Sequence, residues 1–432
     1  MREDRRPGMN AQHAQIRADA GLYLTSSGAV MVLDGVRNLV VAGILGPYVT
    51  GLCTTLMVLP QIGRYFDLGL IEALSVWIPQ YRKTGASEQA DSIRNKVWTI
   101  TLLISSLGAV VAIIAGVTYA KPNPEVGIYL LAAGVLILLS KTKQFVTISY
   151  LADGSIRKAS WLEFWFALMA ALCSIVAVYH LQGYGFWIGL LLPSLIVTGY
   201  GLRDHVRCRG LRLVPTTLTE VSGMLPQGTV MLMASLTYTP FVIASRLFLA
   251  STVGVREVGL FLLAAIVIGK VAMIPTAIAR VMLPKFSAAH DNKTDEGNIF
   301  ELFLKSQVYT LCLSSLVVIL GLLWLPSAVA WLLPAYRSGV PAAMILLAAG
   351  IPYCLIHNAT NVLLALNQKR LYLKVIGVTL ALQAVSFVYL LGSRQVSAYS
   401  VSICLFFVFS CYACFANLQV LRLGRNSPLQ VG

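Results

Sequence analysis

Charge is scarce in this sequence. Aspartate, glutamate, lysine and arginine make up 12% of its 432 residues, about half the roughly 25% of an average soluble domain. Acidic residues are the scarcest, 18 against 33 lysines and arginines. With hydrophobic residues at 57% and a mean hydropathy of +0.75, so little charge excludes a water-soluble fold, whose surface it could not cover. The ten-residue alternating segments of a membrane barrel are missing as well. There are eight cysteines, and all but Cys208, in a basic loop, fall within predicted helices, so no disulfide framework is expected. Cys411-x-x-Cys414 has no third or fourth ligand nearby and reads as packing rather than a metal or redox site. No metal or other cofactor is expected.

Long apolar runs are what the sequence has instead. Val97–Ala120, Val126–Ser140, Trp161–Leu181, Gly185–Leu202, Leu302–Leu325, Ala342–Leu355, Leu371–Leu391 and Val396–Leu421 are nearly free of charge. Most approach the ~20 residues a helix needs to cross ~30 Å of hydrocarbon. They predict an all-α integral membrane protein of about 12 transmembrane helices, near 22–45, 48–79, 97–119, 126–148, 161–181, 184–202, 219–250, 255–284, 301–325, 338–366, 371–392 and 396–421. The expected organisation is a cytoplasmic tail (1–21), a six-helix lobe (22–204), a cytoplasmic linker (205–218), a second six-helix lobe (219–422) and a short tail (423–432). Met1–Ala20 carries Arg2, Arg5, Arg6 and Arg17 but no signal-peptide core. It reads as a mobile tail, with Met9 an alternative start.

A net charge of +15 raises nucleic acid as a partner, but the positions of the basic residues argue against it. Twenty-five of the 33 lysines and arginines lie in the N-terminal tail and every second connection after it, while the other connections hold only Lys121, Arg256, Arg337 and Arg394. This alternation predicts cytoplasmic N and C termini, with anionic membrane lipid as the partner of the surface charge. The remaining four basic residues, Arg37, Arg64, Arg246 and Lys270, fall inside predicted helices.

The two halves echo each other. Leu45-Gly46-x4-Gly51-Leu52 matches Val253-Gly254-x4-Gly259-Leu260, Gly63-Arg64 matches Gly269-Lys270, and Ile78-Pro79-Gln80-Tyr81 matches Leu283-Pro284-Lys285-Phe286. Six helices per half give both copies one orientation, related by an axis along the membrane normal. In these residues, with Asp67-Leu68-Gly69-Leu70, Arg82, Glu257-Val258-Gly259-Leu260-Phe261, Ile274-Pro275-x-Ala277-Ile278, Leu332-Leu333-Pro334-Ala335-Tyr336 and Leu364-Ala365-Leu366-Asn367, the chain resembles the Wzx-like polysaccharide flippases of the MOP superfamily, which also holds MATE exporters and lipid II flippases. The resemblance spans roughly residues 22–422. It implies two six-helix lobes in a V and export of an undecaprenyl-pyrophosphate-linked oligosaccharide for surface polysaccharide assembly. Lipid II flippases usually carry two further helices, for which this sequence has no segments.

Ionisable residues inside the predicted helices are the candidate site. A central Arg or Lys costs ~2.5–3.5 kcal/mol on insertion scales, so Arg64 and Lys270 are expected to face a wet cavity or a partner, and the repeat predicts that they face each other. Arg37 lies roughly 12 Å below the outer end of its helix. Two readings stand for Asp34–Arg37 and Arg64–Asp67, each three residues apart: salt bridges, or groups open to substrate. Lys270 has no acid within one turn in sequence, which marks it as a ligand. Arg246, near an outer helix end, reads as snorkelling to the interface. Lys141 and Lys143 read as interfacial anchors, His357 as a hydrogen-bonded histidine, and Tyr65, Phe66 and Tyr238 as packing or sugar-stacking aromatics. Pro60, Pro226, Pro240 and Pro275 are expected kinks. A net positive cavity suits a pyrophosphate or acidic sugar. Competing functions are a proton- or sodium-coupled small-molecule antiporter of the same superfamily, and a lipid II flippase. A membrane enzyme is not expected, because no acid, base or nucleophile constellation gathers near one face.

Overall fold

The structure is a computed structural model that describes residues 9–235, 237–272, 275, 296–366 and 368–426. Among these residues every regular element is helical, and eight helices are long and apolar enough to cross a membrane. Two of the eight are folded chains rather than rods. Helix α1 (Met9–Leu56) breaks at Gly46 (φ 71°), and Pro47 follows. A second long helix (Ile156–Arg209) breaks at Gln182 (φ 48°). The expected connections at Gly46-Pro47 and Gln182-Gly183 are therefore the observed corners. Residues 9–20, expected as a mobile tail, continue α1, as their Ala- and Gln-rich composition favours. The predicted second helix (48–79) is not continuous: it runs as the end of α1, α2 (Val58–Gly63) and α3 (Leu70–Lys83), with turns over 64–69.

The membrane reading is visible on the surface. On α4 (Ser87–Ala120), Leu103, Leu107, Val110, Val111, Ile114 and Val117 are all exposed at helical spacing, a stripe about 21 Å long. Water would oppose such a stripe, whereas acyl chains cover it at no cost. The chain is a multi-pass integral membrane protein.

Contacts divide the chain into two compact units. The first holds residues 1–44 and 56–232, the second 45–55 and 233–432. In the first, α3, α4, α5 (Pro124–Ala152) and α6, the Ile156–Arg209 helix, close around Leu74, Ile78, Trp98, Phe145 and Val146. The basic connection after Arg209 is tied down: Gly210 ends the helix at φ 62°, and the amides of Arg212 and Val214 donate to Asn95 and Thr99. Thr217 and Glu220 then form a capping box, and Glu220 pairs with Lys96.

In the second unit the sequence repeat becomes a contact. A Cβ on Gly51 would lie 1.7 Å from the carbonyl oxygen of Val255, and one on Gly259 would lie 1.8 Å from that of Pro47. Pro47 and Gly51 match Val255 and Gly259 at a constant offset in the repeat, so the two copies touch through equivalent residues, backbone against backbone. Small residues allow this approach, which packing between membrane helices depends on. Glu257, beside Gly259, accepts the amide of Ala398 at 2.7 Å and so caps the last helix (Ala398–Asn426). We expect Gly259→Val to lower stability by about 1–3 kcal/mol, read as membrane abundance and melting temperature. Gly377→Ala, where an added Cβ meets nothing within 4 Å, should leave both unchanged or raise them.

Candidate functional site

The interrupted second helix builds the site. After α2 ends at Gly63, the backbone proceeds by i→i+3 bonds: Arg64 N–H to Gln61 at 3.3 Å, Tyr65 to Ile62 at 2.9 Å and Phe66 to Gly63 at 3.3 Å. Leu68 (φ 51°) and Gly69 (φ 86°) then turn the chain left-handed into α3. Gly69 is required twice over, because an added Cβ would lie 2.3 Å from the carbonyl oxygen of Gly228. A break in a membrane helix frees carbonyls that must find donors. The Arg64 carbonyl finds Lys141 Nζ at 2.7 Å, and the same ammonium reaches Asp67 Oδ1 at 2.6 Å. Lys141 and Asp67 are 2% and 1% exposed, and Asp67 Oδ2 also accepts the Ile71 amide at 3.3 Å.

This corrects two expectations. Asp67 pairs with Lys141 and not with Arg64, although Arg64 is only three residues away. Lys141 is a buried strut and not an interfacial anchor. The helical spacing argument fails because residues 64–69 are not helical, so Arg64 and Asp67 do not share a helix face.

Released from Asp67, Arg64 opens into a cavity of about 610 Å³ within the first unit. Asp34, Arg37, Glu72, Lys143 and Glu163 bring the other charges to its wall. Most are neutralised locally. Arg37 lies 3.4 Å from Asp34, as its spacing suggested, and donates to Asn38. Lys143 meets Glu163 at 2.9 Å and stands 3.8 Å over the Phe166 ring. Glu163 takes a second bond from Thr147, and Glu72 accepts Gln144 Nε2 at 2.6 Å, with its other oxygen buried. Arg64 is exposed, and among the described residues its guanidinium has no hydrogen bond or ion pair. Gln61, Ser140, Gln144, Thr147 and Ser194 supply amides and hydroxyls between the charges. The formal charges of this cavity cancel, three positive against three negative, so the net positive lining expected from the sequence is not found here, and Arg64 is its accessible cation. Lys143, Glu163 and Gln144 were missed as cavity residues, since their faces depend on how α5 packs between its neighbours.

In the second unit, Lys270 is exposed in the last turn of the helix Val255–Val271, as Arg64 follows the end of α2. Arg246 is only 9% exposed on the helix Thr239–Thr252, which overturns the snorkelling expectation: its stem and head are buried among protein side chains. The helical break after Ser235, just ahead of Pro240, is supported by Tyr372, whose hydroxyl donates to the Met233 carbonyl, while Gln383 donates to the Phe241 carbonyl at 2.9 Å. Pro275 is buried. Of the resemblance motifs, Ile274, Ala277-Ile278, Leu283-Pro284-Lys285-Phe286 and Asn367 lie outside the described residues. His357 is half-buried within the unit.

No protein-family model matches the sequence, and no curated protein sequence matches it either. Solved structures do. An inward-facing multidrug resistance MATE family transporter of the MOP superfamily superposes with a TM-score of 0.70 at 15% identity, over 92% of this chain and 96% of that one. An outward-facing MATE transporter of the MOP superfamily gives 0.59 at 14% identity, over 95% and 97%. A point mutant of the Vibrio cholerae MATE transporter VcmN gives 0.58 at 14% identity, over 97% and 98%. The fold is that of the MATE transporters of the MOP superfamily, and the structural neighbours are transporters rather than enzymes.

Proposed function

We propose that this protein moves an undecaprenyl-pyrophosphate-linked oligosaccharide across the bacterial cytoplasmic membrane by alternating access, with both termini on the cytoplasmic side and two six-helix lobes alternating around the substrate. The observation that supports this reading is the open guanidinium of Arg64 in a cavity whose wall also holds amides, hydroxyls, the Asp34–Arg37 and Lys143–Glu163 ion pairs, the Glu72 carboxylate and apolar side chains. Amides and hydroxyls suit sugar hydroxyls, and an unpaired guanidinium suits a phosphate oxygen. Lys270 is the counterpart cation in the second unit. Arg37, Arg246, Asp34 and Asp67 then act as partners that set the local charge rather than as direct ligands. The antiporter reading draws on Glu72, a carboxylate in the same cavity that forms no ion pair among the described residues, able to carry a coupling proton or sodium ion.

Arg64→Ala and Lys270→Ala should each reduce glycan export by about tenfold or more, the scale of one hydrogen bond to a charged group, with membrane abundance near normal. Arg64→Glu should be worse still. Surface glycan in a strain lacking the gene, complemented by each variant, is the measurement. Full complementation by Arg64→Glu would exclude the anionic substrate. Glycan export untouched by Arg64→Ala, with cation efflux lost in Glu72→Gln, would carry the antiporter reading instead.

A further inference from the structure

A second cavity in the first unit, of about 540 Å³, is lined by both arms of the Ile156–Arg209 helix. It is built in layers. At one end stand Arg157 and Lys158, opposite Asp204. Lys158 Nζ and the Tyr150 hydroxyl both reach Asp204 Oδ2, at 2.9 and 2.7 Å, so that carboxylate is fully engaged. Arg157 is exposed, and among the described residues its guanidinium has neither hydrogen bond nor ion pair. Arg203 and Arg207, also exposed, lie within one turn of Asp204. The net charge at this end is positive.

Next come amphipathic rings. Trp161 and Trp165 stack at 6.1 Å and 21° along one wall, and Tyr200 faces the cavity from the other arm. These rings are 52%, 47% and 73% exposed. Beyond them the lining is aliphatic, with Leu162, Met169, Ile196 and Val197. From Arg157 to Met169 the groove follows the helix for about 18 Å, close to the ~15 Å depth of one leaflet's hydrocarbon.

We infer that this groove is a binding site for one anionic glycerophospholipid, its phosphate held by Arg157 and its acyl chain laid between Trp165 and Ile196. The order of the lining matches the order of the lipid: charge, polar–apolar boundary, hydrocarbon. Tryptophans are enriched at membrane interfaces, and here two stacked rings form the wall of a concave slot whose mouth carries the open Arg157 guanidinium. The slot lies on residues apart from the Arg64 cavity and does not depend on the transport substrate.

The test is native mass spectrometry of the full-length protein in detergent, equilibrated with equimolar phosphatidylglycerol and phosphatidylcholine. Wild type should retain one phosphatidylglycerol in preference to phosphatidylcholine. Arg157→Gln should cut that retention about fivefold, the effect of one basic residue on an anionic lipid, and the exposed position should leave melting temperature unchanged. Trp161→Ala/Trp165→Ala should lower retention of both lipids. Equal retention of the two lipids by wild type, or unaltered phosphatidylglycerol retention in Arg157→Gln, would overturn the site. Displacement of phosphatidylglycerol by equimolar polyprenyl phosphate would reassign the groove to a polyprenyl chain and overturn the phospholipid assignment.

Discussion

Replacing Asp153 with alanine should destabilise the protein by about 3–5 kcal/mol, the usual effect of removing one partner from a buried ion pair. Asp153 sits in the turn between α5 and the following helix, and its side chain is 1% exposed. Three arginines from three elements converge on it: Arg82 at 2.5 Å from the end of α3, Arg94 at 2.7 Å from α4, and Arg209 from the end of the Ile156–Arg209 helix. Arg94 is itself 1% exposed and has one further acid, Asp91 at 2.8 Å. Without Asp153, three guanidinium groups would share a single carboxylate, with Arg94 unable to reach water. Repulsion between them would then push apart the helix ends that the carboxylate holds together. Melting temperature in detergent is the direct measurement, and Asp153→Asn should fall between alanine and wild type, because it keeps an acceptor but loses the charge. An unchanged melting temperature in Asp153→Ala would mean that the helix ends are held by apolar packing alone.

Lys141→Met should cost a similar ~3–5 kcal/mol by leaving Asp67 buried and unpaired. Lys141→Met/Asp67→Leu should recover part of that loss, since a buried pair replaced by apolar groups of similar size is often near neutral. Recovery will be incomplete, because the Arg64 carbonyl loses its donor, a penalty of about 1–3 kcal/mol. A double variant as unstable as the sum of the singles would show that the two side chains act independently and that the pair does not staple the turn. Export in the double variant is equally informative. If Arg64 depends on the 64–69 turn for its position, transport should fall further than stability accounts for.

The resemblance motifs gain a physical meaning from these contacts. Asp67-Leu68-Gly69-Leu70 is a stapled left-handed turn, Arg82 is one arm of the Asp153 cluster, and Glu257 with Gly259 caps a helix and admits a neighbouring backbone. They describe how a fold of this type is held together rather than what it carries. A sequence likeness resting on them is therefore informative about architecture and nearly silent about substrate.

Membrane residence and the corners at Gly46 and Gln182 followed from the sequence by itself, and the spacing of Asp34 and Arg37 offered their pairing as one of two readings. Each depends on composition, on a local backbone preference, or on spacing along one continuous helix, and these survive without knowledge of neighbours. The partner of Asp67, the burial of Lys141 and Arg246, and the openness of Arg64 were decided only by tertiary structure. A six-residue departure from helical geometry at 64–69 removes the i,i+3 relation on which the Arg64–Asp67 pairing rested, and the replacement donor comes from a residue 74 positions away. In a membrane interior, a freed carbonyl and a buried carboxylate must be satisfied by whichever helix packs beside them, so the choice of partner belongs to packing and not to the local sequence.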